Sequence, residues 1–189
     1  MQIIRTISSI TAVGVLVGCG GTVSEKMISE FSFAEVEARA LLLESDYTAD
    51  ILNNNFTDLT GRGGKGTMTG AFGYGEGQVR VVDDLDVLGA VSLNYDFNTG
   101  TLNGTASNFF AVDTEAALDG TVNITMVYDG TGTFDFDGEA LGSVDGSTLD
   151  LTARANFYRE DAKFIGGLVN GTSDDGQTNT SVSGLFVAD

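Results

Sequence analysis

Several residue types on which common active sites depend are missing from this chain. Histidine, tryptophan and proline are absent, and there is a single cysteine among 189 residues. Without histidine the chain cannot form a Ser-His-Asp or Cys-His nucleophile, nor a histidine-ligated zinc or haem site. One cysteine excludes an internal disulfide and a cluster of thiolate ligands. An enzyme is therefore the least favoured class of function.

Basic residues are also scarce. Nine Lys and Arg stand against 27 Asp and Glu, which gives a formal net charge of −18 at pH 7. Nucleic acids and anionic lipid headgroups both attract basic surfaces. The composition therefore argues against nucleic acid as a partner and against binding to lipid through charge. The length suits one domain.

The N-terminus carries the pattern of a lipoprotein signal. Residues 7–17 are an apolar run that is too short to span a membrane and is typical of a secretory signal. It ends in Leu16-Val17-Gly18-Cys19, which resembles the lipobox of bacterial lipoproteins. The resemblance implies cleavage after Gly18 and acylation of Cys19, so the membrane is an expected partner through this lipid anchor. The alternative is an ordinary signal peptide with a coincidental cysteine.

The residue after the cysteine bears on the location of the protein. Gly20 stands there instead of the Asp that favours retention in the inner membrane of enteric bacteria. We therefore expect an outer-membrane lipoprotein. The sequence leaves open whether it lies on the cell surface or on the periplasmic face.

A helix is predicted near the start of the mature chain, over residues 33–44. Ser32 and Glu35 have the spacing of a capping box. The apolar residues at helical spacing are Phe33, Val36, Ala40 and Leu43. We expect this helix to pack against the domain rather than lie on a membrane, because its polar face is rich in Glu and poor in Lys.

From residue 65 onward, apolar and polar residues alternate, which is the pattern of strands with one face in water. Turn signals of Asn or Asp followed by Gly separate the runs. The predicted strands are 65–74, 87–98, 101–110, 120–128, 131–140, 147–158, 162–169 and 180–187. Gln78–Val82 is a further short strand or an edge. We expect a signal at 1–18, a tether and helix at 19–60, and a barrel at 61–189.

The fold class that follows is all-β. Eight antiparallel strands in chain order suit closure into an up-and-down barrel, which removes exposed strand edges. The barrel is preceded by the short N-terminal helix. We expect an apolar interior and a wet exterior, because the chain carries a lipoprotein signal and only weak aromatic girdles.

Four segments of the predicted barrel carry a shared pattern of glycines and aromatic residues: 66–75 (GTMTGAFGYG), 93–97 (LNYDF) with 100–104 (GTLNG), 164–167 (FIGG) and 183–186 (SGLF). They resemble the family of transferrin-binding protein B. The first segment resembles its first barrel strand, the second resembles one of its hairpins, and the last two are similar to its closing strands. The resemblance implies a lipidated surface protein with an eight-stranded barrel that binds a protein or an iron carrier in iron acquisition. A TonB-dependent receptor is then a candidate partner.

No metal or other cofactor is expected. Asp83-Asp84-Leu85-Asp86 and residues 135–139 are acidic, but neither has the spacing of a calcium-binding loop. Tyrosine can ligate haem, but the lack of histidine disfavours haem binding here. The tyrosines are Tyr47, Tyr74, Tyr95, Tyr128 and Tyr158. Tyr95 and Tyr128 lie on apolar strand faces, so we expect them in the core with their hydroxyl groups at its rim.

Adjacent aromatic residues are the candidate partner-binding sites. Phe109 and Phe110 are neighbours near the end of a predicted strand, so one of them must point away from the core. Phe157 and Tyr158 form a similar cluster beside Arg159. Exposed aromatic side chains anchor protein interfaces, although the helix could instead cover them. We therefore predict a binding protein; the alternative is a structural or accessory envelope lipoprotein without a small-molecule ligand.

Overall fold

The structure, a computed structural model, describes residues 31–53, 56–130, 134–159 and 161–189. Its helix α1 spans Phe33–Leu52. The strands are β1 Lys65–Glu76, β2 Val87–Asp96, β3 Thr101–Ala111, β4 Ala117–Leu118, β5 Gly120–Tyr128, β6 Phe136–Val144, β7 Ser147–Tyr158, β8 Phe164–Asp174 and β9 Asn179–Ala188. A 3₁₀ turn occupies Val82–Asp84. The predicted signal and Cys19 lie outside the described residues.

Eight long strands form a closed antiparallel barrel, which confirms the predicted fold class. Each long strand pairs with the next long strand along the chain, and β1 pairs with β9 to complete the circle. The short β4 adds a two-residue ladder beside the end of β3. Closure leaves no long strand with an unpaired edge, so the hydrogen-bonding groups of the sheet are satisfied within it.

The segment Gln78–Val82 is not a strand, and its prediction as a strand or edge is wrong. The Ser183 hydroxyl accepts a hydrogen bond from the N–H of Val79 (2.7 Å) and donates one to the carbonyl of Gly77 (2.7 Å). A side chain of β9 thus satisfies the backbone groups that a neighbouring strand would otherwise take. The segment is therefore a loop that leads into the 3₁₀ turn.

The alternating pattern produces an interior filled with side chains. On β5 the inward residues are Val122, Ile124 and Met126, with exposed residues between them. The buried phenylalanines of the interior are Phe72, Phe109, Phe136, Phe157 and Phe186. Small residues make room for these rings: Ala106, Ala140, Ala153 and Ala155. Large and small side chains together give the close packing of an ordinary protein core.

The helix is longer than predicted, because it continues from Glu44 to Leu52. Its start is as expected: the Glu35 carboxylate accepts a hydrogen bond from the backbone N–H of Ser32 (2.8 Å). Its last turns are held by Arg159, which pairs with Asp46 (3.1 Å) and Asp50 (2.9 Å). Contacts with the barrel thus extend the helix beyond the apolar repeat on which the prediction depended.

A second core lies between α1 and the outer surface of the barrel. The predicted face of Phe33, Val36, Ala40 and Leu43 is buried there. It packs against outward-pointing residues of several strands, including Ala71, Leu88, Phe110, Leu185 and Val187. The expectation that the helix packs against the domain is therefore confirmed.

No helix within the described residues is both long and apolar enough to span a membrane.

Candidate functional site

The Phe109–Phe110 pair is buried, which corrects the expectation of an exposed aromatic at this site. Phe109 points into the barrel and contacts Phe72, with 6.2 Å between ring centroids. Phe110 points outward, as the alternation predicts, but it is only 8 % exposed. Phe33 of α1 covers it with an edge-on ring contact of 5.8 Å. The alternative that the helix covers this site is therefore the correct one for Phe110.

Phe157 and Tyr158 are buried as well. Phe157 lies inside the barrel and contacts Phe97 at 5.0 Å between centroids. Tyr158 points outward and packs against Tyr47 of α1 at 5.5 Å. Burial raises the pKa of Tyr158 far above its ordinary value, so its phenol stays neutral. The expected exposure is wrong here too: this cluster, together with Arg159, attaches the helix to the barrel.

The tyrosines are spread over different environments. Tyr74 lies in the barrel interior, and Tyr95 is partly buried against Phe97 (4.7 Å between centroids). Tyr128 is 42 % exposed, which corrects the expectation that it lies in the core. It is the last residue of β5, where the barrel wall ends. Across the described part of the chain, no three His, Cys, Asp or Glu side chains stand close enough to hold a metal ion.

The side of α1 that points away from the barrel is uncharged. Its exposed residues, here named the outer face of α1, are Ala34, Ala38, Leu41, Leu42, Ser45 and Ala49. Their spacing of three or four residues places them on one side of the helix, opposite the buried face. Leu42 is 58 % exposed. This surface is not among the sites predicted from the sequence, because the polar face of the helix is expected to be rich in Glu; the signal for the surface is a second apolar repeat, offset from the first.

Acidic residues flank the outer face of α1 on both sides. By helical spacing, Glu35 and Asp46 lie along one side, and Glu37 and Glu44 lie along the other. Hydrogen bonds from the backbone and hydroxyl of Ser32 lower the pKa of Glu35, so this carboxylate stays charged. Among the described residues, Arg39 is engaged with the carboxylate of Asp189, and Arg159 pairs with Asp46 (3.1 Å). The apolar stripe therefore has a mainly acidic border.

The chain is similar to solved structures of transferrin-binding protein B. Two are crystal structures of this vaccine antigen from Haemophilus parasuis Hp5, one of a single mutant and one of a double mutant. Each is 22 % identical to the chain, with a TM-score of 0.46. The match covers 71 % of this chain but only 28 % and 27 % of the two longer chains.

Other comparisons found nothing. No protein-family model matches the chain, and no curated protein does.

The two ends of the barrel differ in charge. One end, here named the acidic end, is formed by the loops 77–86, 112–119, 145–146 and 175–178 with the adjoining strand ends. Its acidic residues are Glu76, Asp83, Asp84, Asp86, Asp113, Glu115, Asp119, Asp145, Asp174 and Asp175. Arg80 is the one basic residue in these described loops. The opposite end carries Arg62, Lys65, Arg159 and Lys163 beside acidic residues that include Asp58, Asp96, Asp129, Asp135 and Asp161. The excess of negative charge is therefore concentrated at the acidic end.

Proposed function

We propose that this protein is an outer-membrane lipoprotein, anchored through acylated Cys19, that binds another protein through the outer face of α1. The single observation that carries the binding proposal is that face: an uncharged stripe with two exposed leucines on a chain of net charge −18. Exposed apolar patches with polar borders mark interaction sites. The sequence resemblance to transferrin-binding protein B supports the lipid anchor and a ligand that is a protein or an iron carrier.

The packing of the barrel favours a protein over a small molecule enclosed within it. The interior positions of the strands are occupied by buried phenylalanine, leucine and alanine side chains. A ligand would therefore bind on the outside of the barrel or at its ends. The outer face of α1 is elongated and carries alanines, which allow another helix or a groove to approach closely.

The charged border indicates what kind of partner fits. Glu35, Glu37 and Glu44 would meet the same residues of a second copy, and like charges across an interface are unfavourable. They would also be repelled by anionic lipid headgroups. An amphipathic helix with Lys or Arg beside its apolar stripe would instead be attracted. We therefore propose a partner segment of this kind, for which a TonB-dependent receptor is a candidate source.

Cross-linking in intact membranes tests the binding proposal. A photoreactive residue is placed at position 42, and the control is the same residue at Val127 on β5, which is 56 % exposed and away from α1. The cross-linked peptides are identified by mass spectrometry. We expect position 42 to capture one protein segment with basic residues beside an apolar stripe, and Leu41→Gln to abolish that adduct.

Other adducts would contradict the proposal. Adducts to lipid or to a second copy of this chain exclude the proposed partner. Equal capture from positions 42 and 127 means that the contact is not specific to the outer face of α1.

The anchor has a separate test. We expect Cys19→Ala to release the protein from the membrane fraction, and a variant that still pellets with membranes would exclude the anchor. Protease treatment of intact cells then distinguishes the two locations: cleavage within residues 61–189 indicates the cell surface. Protection until the outer membrane is broken favours the alternative function, an accessory lipoprotein of the periplasmic envelope.

A further inference from the structure

A depression of about 490 Å³ opens at the acidic end of the barrel. It lies between the end of β1, the loop that follows β1, and the turn between β8 and β9. Its acidic lining residues are Glu76, Asp84, Asp86 and Asp175. Residues with hydroxyl groups also line it, among them Tyr74 and Ser173. The surface offers many hydrogen-bond acceptors and a concentrated negative charge.

Tyr74 enters this depression from the barrel interior. Its side chain packs edge-on against Phe72, with 6.4 Å between ring centroids, and the residue is only 7 % exposed. Its hydroxyl makes no hydrogen bond to any described residue, and since no buried side-chain N or O atom of the described residues lacks a partner, this oxygen is open to the depression. Burial, and then the charges of Asp145 and Asp86, raise the pKa of Tyr74 to about 12. The phenol therefore stays neutral, with its oxygen available to a ligand.

The carboxylates of the depression are held in place by the backbone. The Asp86 side chain accepts a hydrogen bond from the N–H of Glu76 (2.7 Å), and the Asp175 side chain accepts one from the N–H of Thr178 (2.6 Å). No basic side chain lines the depression. Arg80, in the same loop as Asp84 and Asp86, donates a hydrogen bond to Gln78 instead. The negative charges of the depression are thus held near one another, and no basic side chain of the described residues lies in the depression to neutralise them.

We propose that this depression binds an alkylammonium group, with Tyr74, Glu76 and Asp86 accepting its hydrogen bonds. An ammonium group has three donors and needs several separate acceptors. The acids are dispersed around the depression, and no three acidic groups among the described residues converge as a metal site. That dispersion favours an organic cation over a metal ion. A free polyamine and a lysine side chain of another protein share this chemistry.

Calorimetric titration of the folded protein with spermidine tests the proposal. We expect saturable binding that Tyr74→Phe weakens by about 5- to 10-fold, because this change removes one hydrogen-bond acceptor and leaves the net charge unchanged. Glu76→Gln should weaken it by at least as much. The matched control is Asp113→Asn, which removes one charge from the same end but lies outside the depression. It should change binding by less than about 2-fold, as expected for an exposed charge at a distance.

Three outcomes would overturn the proposal. One is that spermidine does not bind. Another is that the Tyr74→Phe and Glu76→Gln variants bind spermidine with the same affinity as the Asp113→Asn control. The third is that calcium binds as tightly as spermidine and responds to the same variants, which would make the depression a divalent-cation site. A parallel titration with Nα-acetyl-lysine methylamide distinguishes the two sources: binding as tight as that of spermidine indicates a lysine side chain, and weaker binding indicates a polyamine. Melting temperatures confirm that each variant is folded.

Discussion

Gly166 is a single residue that determines how closely α1 approaches the barrel. It lies on the outer surface of β8, and a Cβ at this position would overlap the ring of Tyr47. The Tyr47 ring also contacts the ring of Tyr158 edge-on. The missing side chain therefore makes room for the aromatic contact that holds the last turns of the helix.

Adding a methyl group at this position should weaken the attachment of the helix. We expect Gly166→Ala to lower the free energy of unfolding by about 1–3 kcal/mol, the usual cost of overpacking a well-packed site. Denaturant unfolding measures the change. In a Tyr47→Ala background the same substitution should cost much less, because the ring that it displaces is gone. An equal cost in both backgrounds would show that the strain lies in β8 itself.

Individual side chains also show what sequence analysis can and cannot predict. The alternation along β3 and β7 correctly predicts that Phe109 and Phe110, or Phe157 and Tyr158, point to opposite sides. It does not predict what covers the outward residue, because the covering rings of Phe33 and Tyr47 come from a helix far away in the chain. Exposure depends on that tertiary contact, so a local pattern cannot supply it.

At the scale of the element, α1 places two adjacent leucines in opposite environments. Leu43 is fully buried against the barrel, and Leu42 points outward. We expect Leu43→Ala to lower the free energy of unfolding by about 2–5 kcal/mol, since it leaves a cavity in the second core. Leu42→Ala should change it by no more than about 0.5 kcal/mol. Thermal or denaturant unfolding measures both, and similar costs for the two variants would contradict the orientation of the helix.

Element boundaries were predictable where the signals are local. The strands followed from alternation and from turns with Asn or Asp before Gly, so the predicted 120–128 and 147–158 coincide with β5 and β7. The end of α1 was not predictable in this way, because its last turns depend on ion pairs with Arg159. The depression beside Tyr74 was also missed, since it combines residues from four parts of the chain that no motif connects.

At the scale of the whole molecule, the uneven charge should make stability depend on salt. Ten acidic residues share the acidic end with one arginine, and their mutual repulsion destabilises the folded state. Between about 0.01 M and about 1 M salt the screening length falls from about 30 Å to about 3 Å. We therefore expect the melting temperature to rise by about 2–4 °C, which corresponds to about 1 kcal/mol for a domain of this size.

A set of charge-neutralising variants tests whether the salt dependence of the melting temperature comes from repulsion within the acidic end or from the net charge of the whole molecule. The variant Asp113→Asn, Glu115→Gln, Asp119→Asn neutralises three acids in one loop of the acidic end. In low salt it should melt at a higher temperature than the unmodified protein, and its melting temperature should rise less when salt is added.

The matched control, Glu37→Gln, Glu139→Gln, Asp150→Asn, removes the same charge from the helix and the barrel wall. Because those acids are not part of the acidic end, neutralising them should relieve less of the local repulsion, and this control should keep most of the salt response. Calorimetry measures the melting temperature of each variant in low and in high salt. An equal loss of salt response in both variants would mean that the total net charge determines the salt dependence of stability, and that the acidic end has no special role.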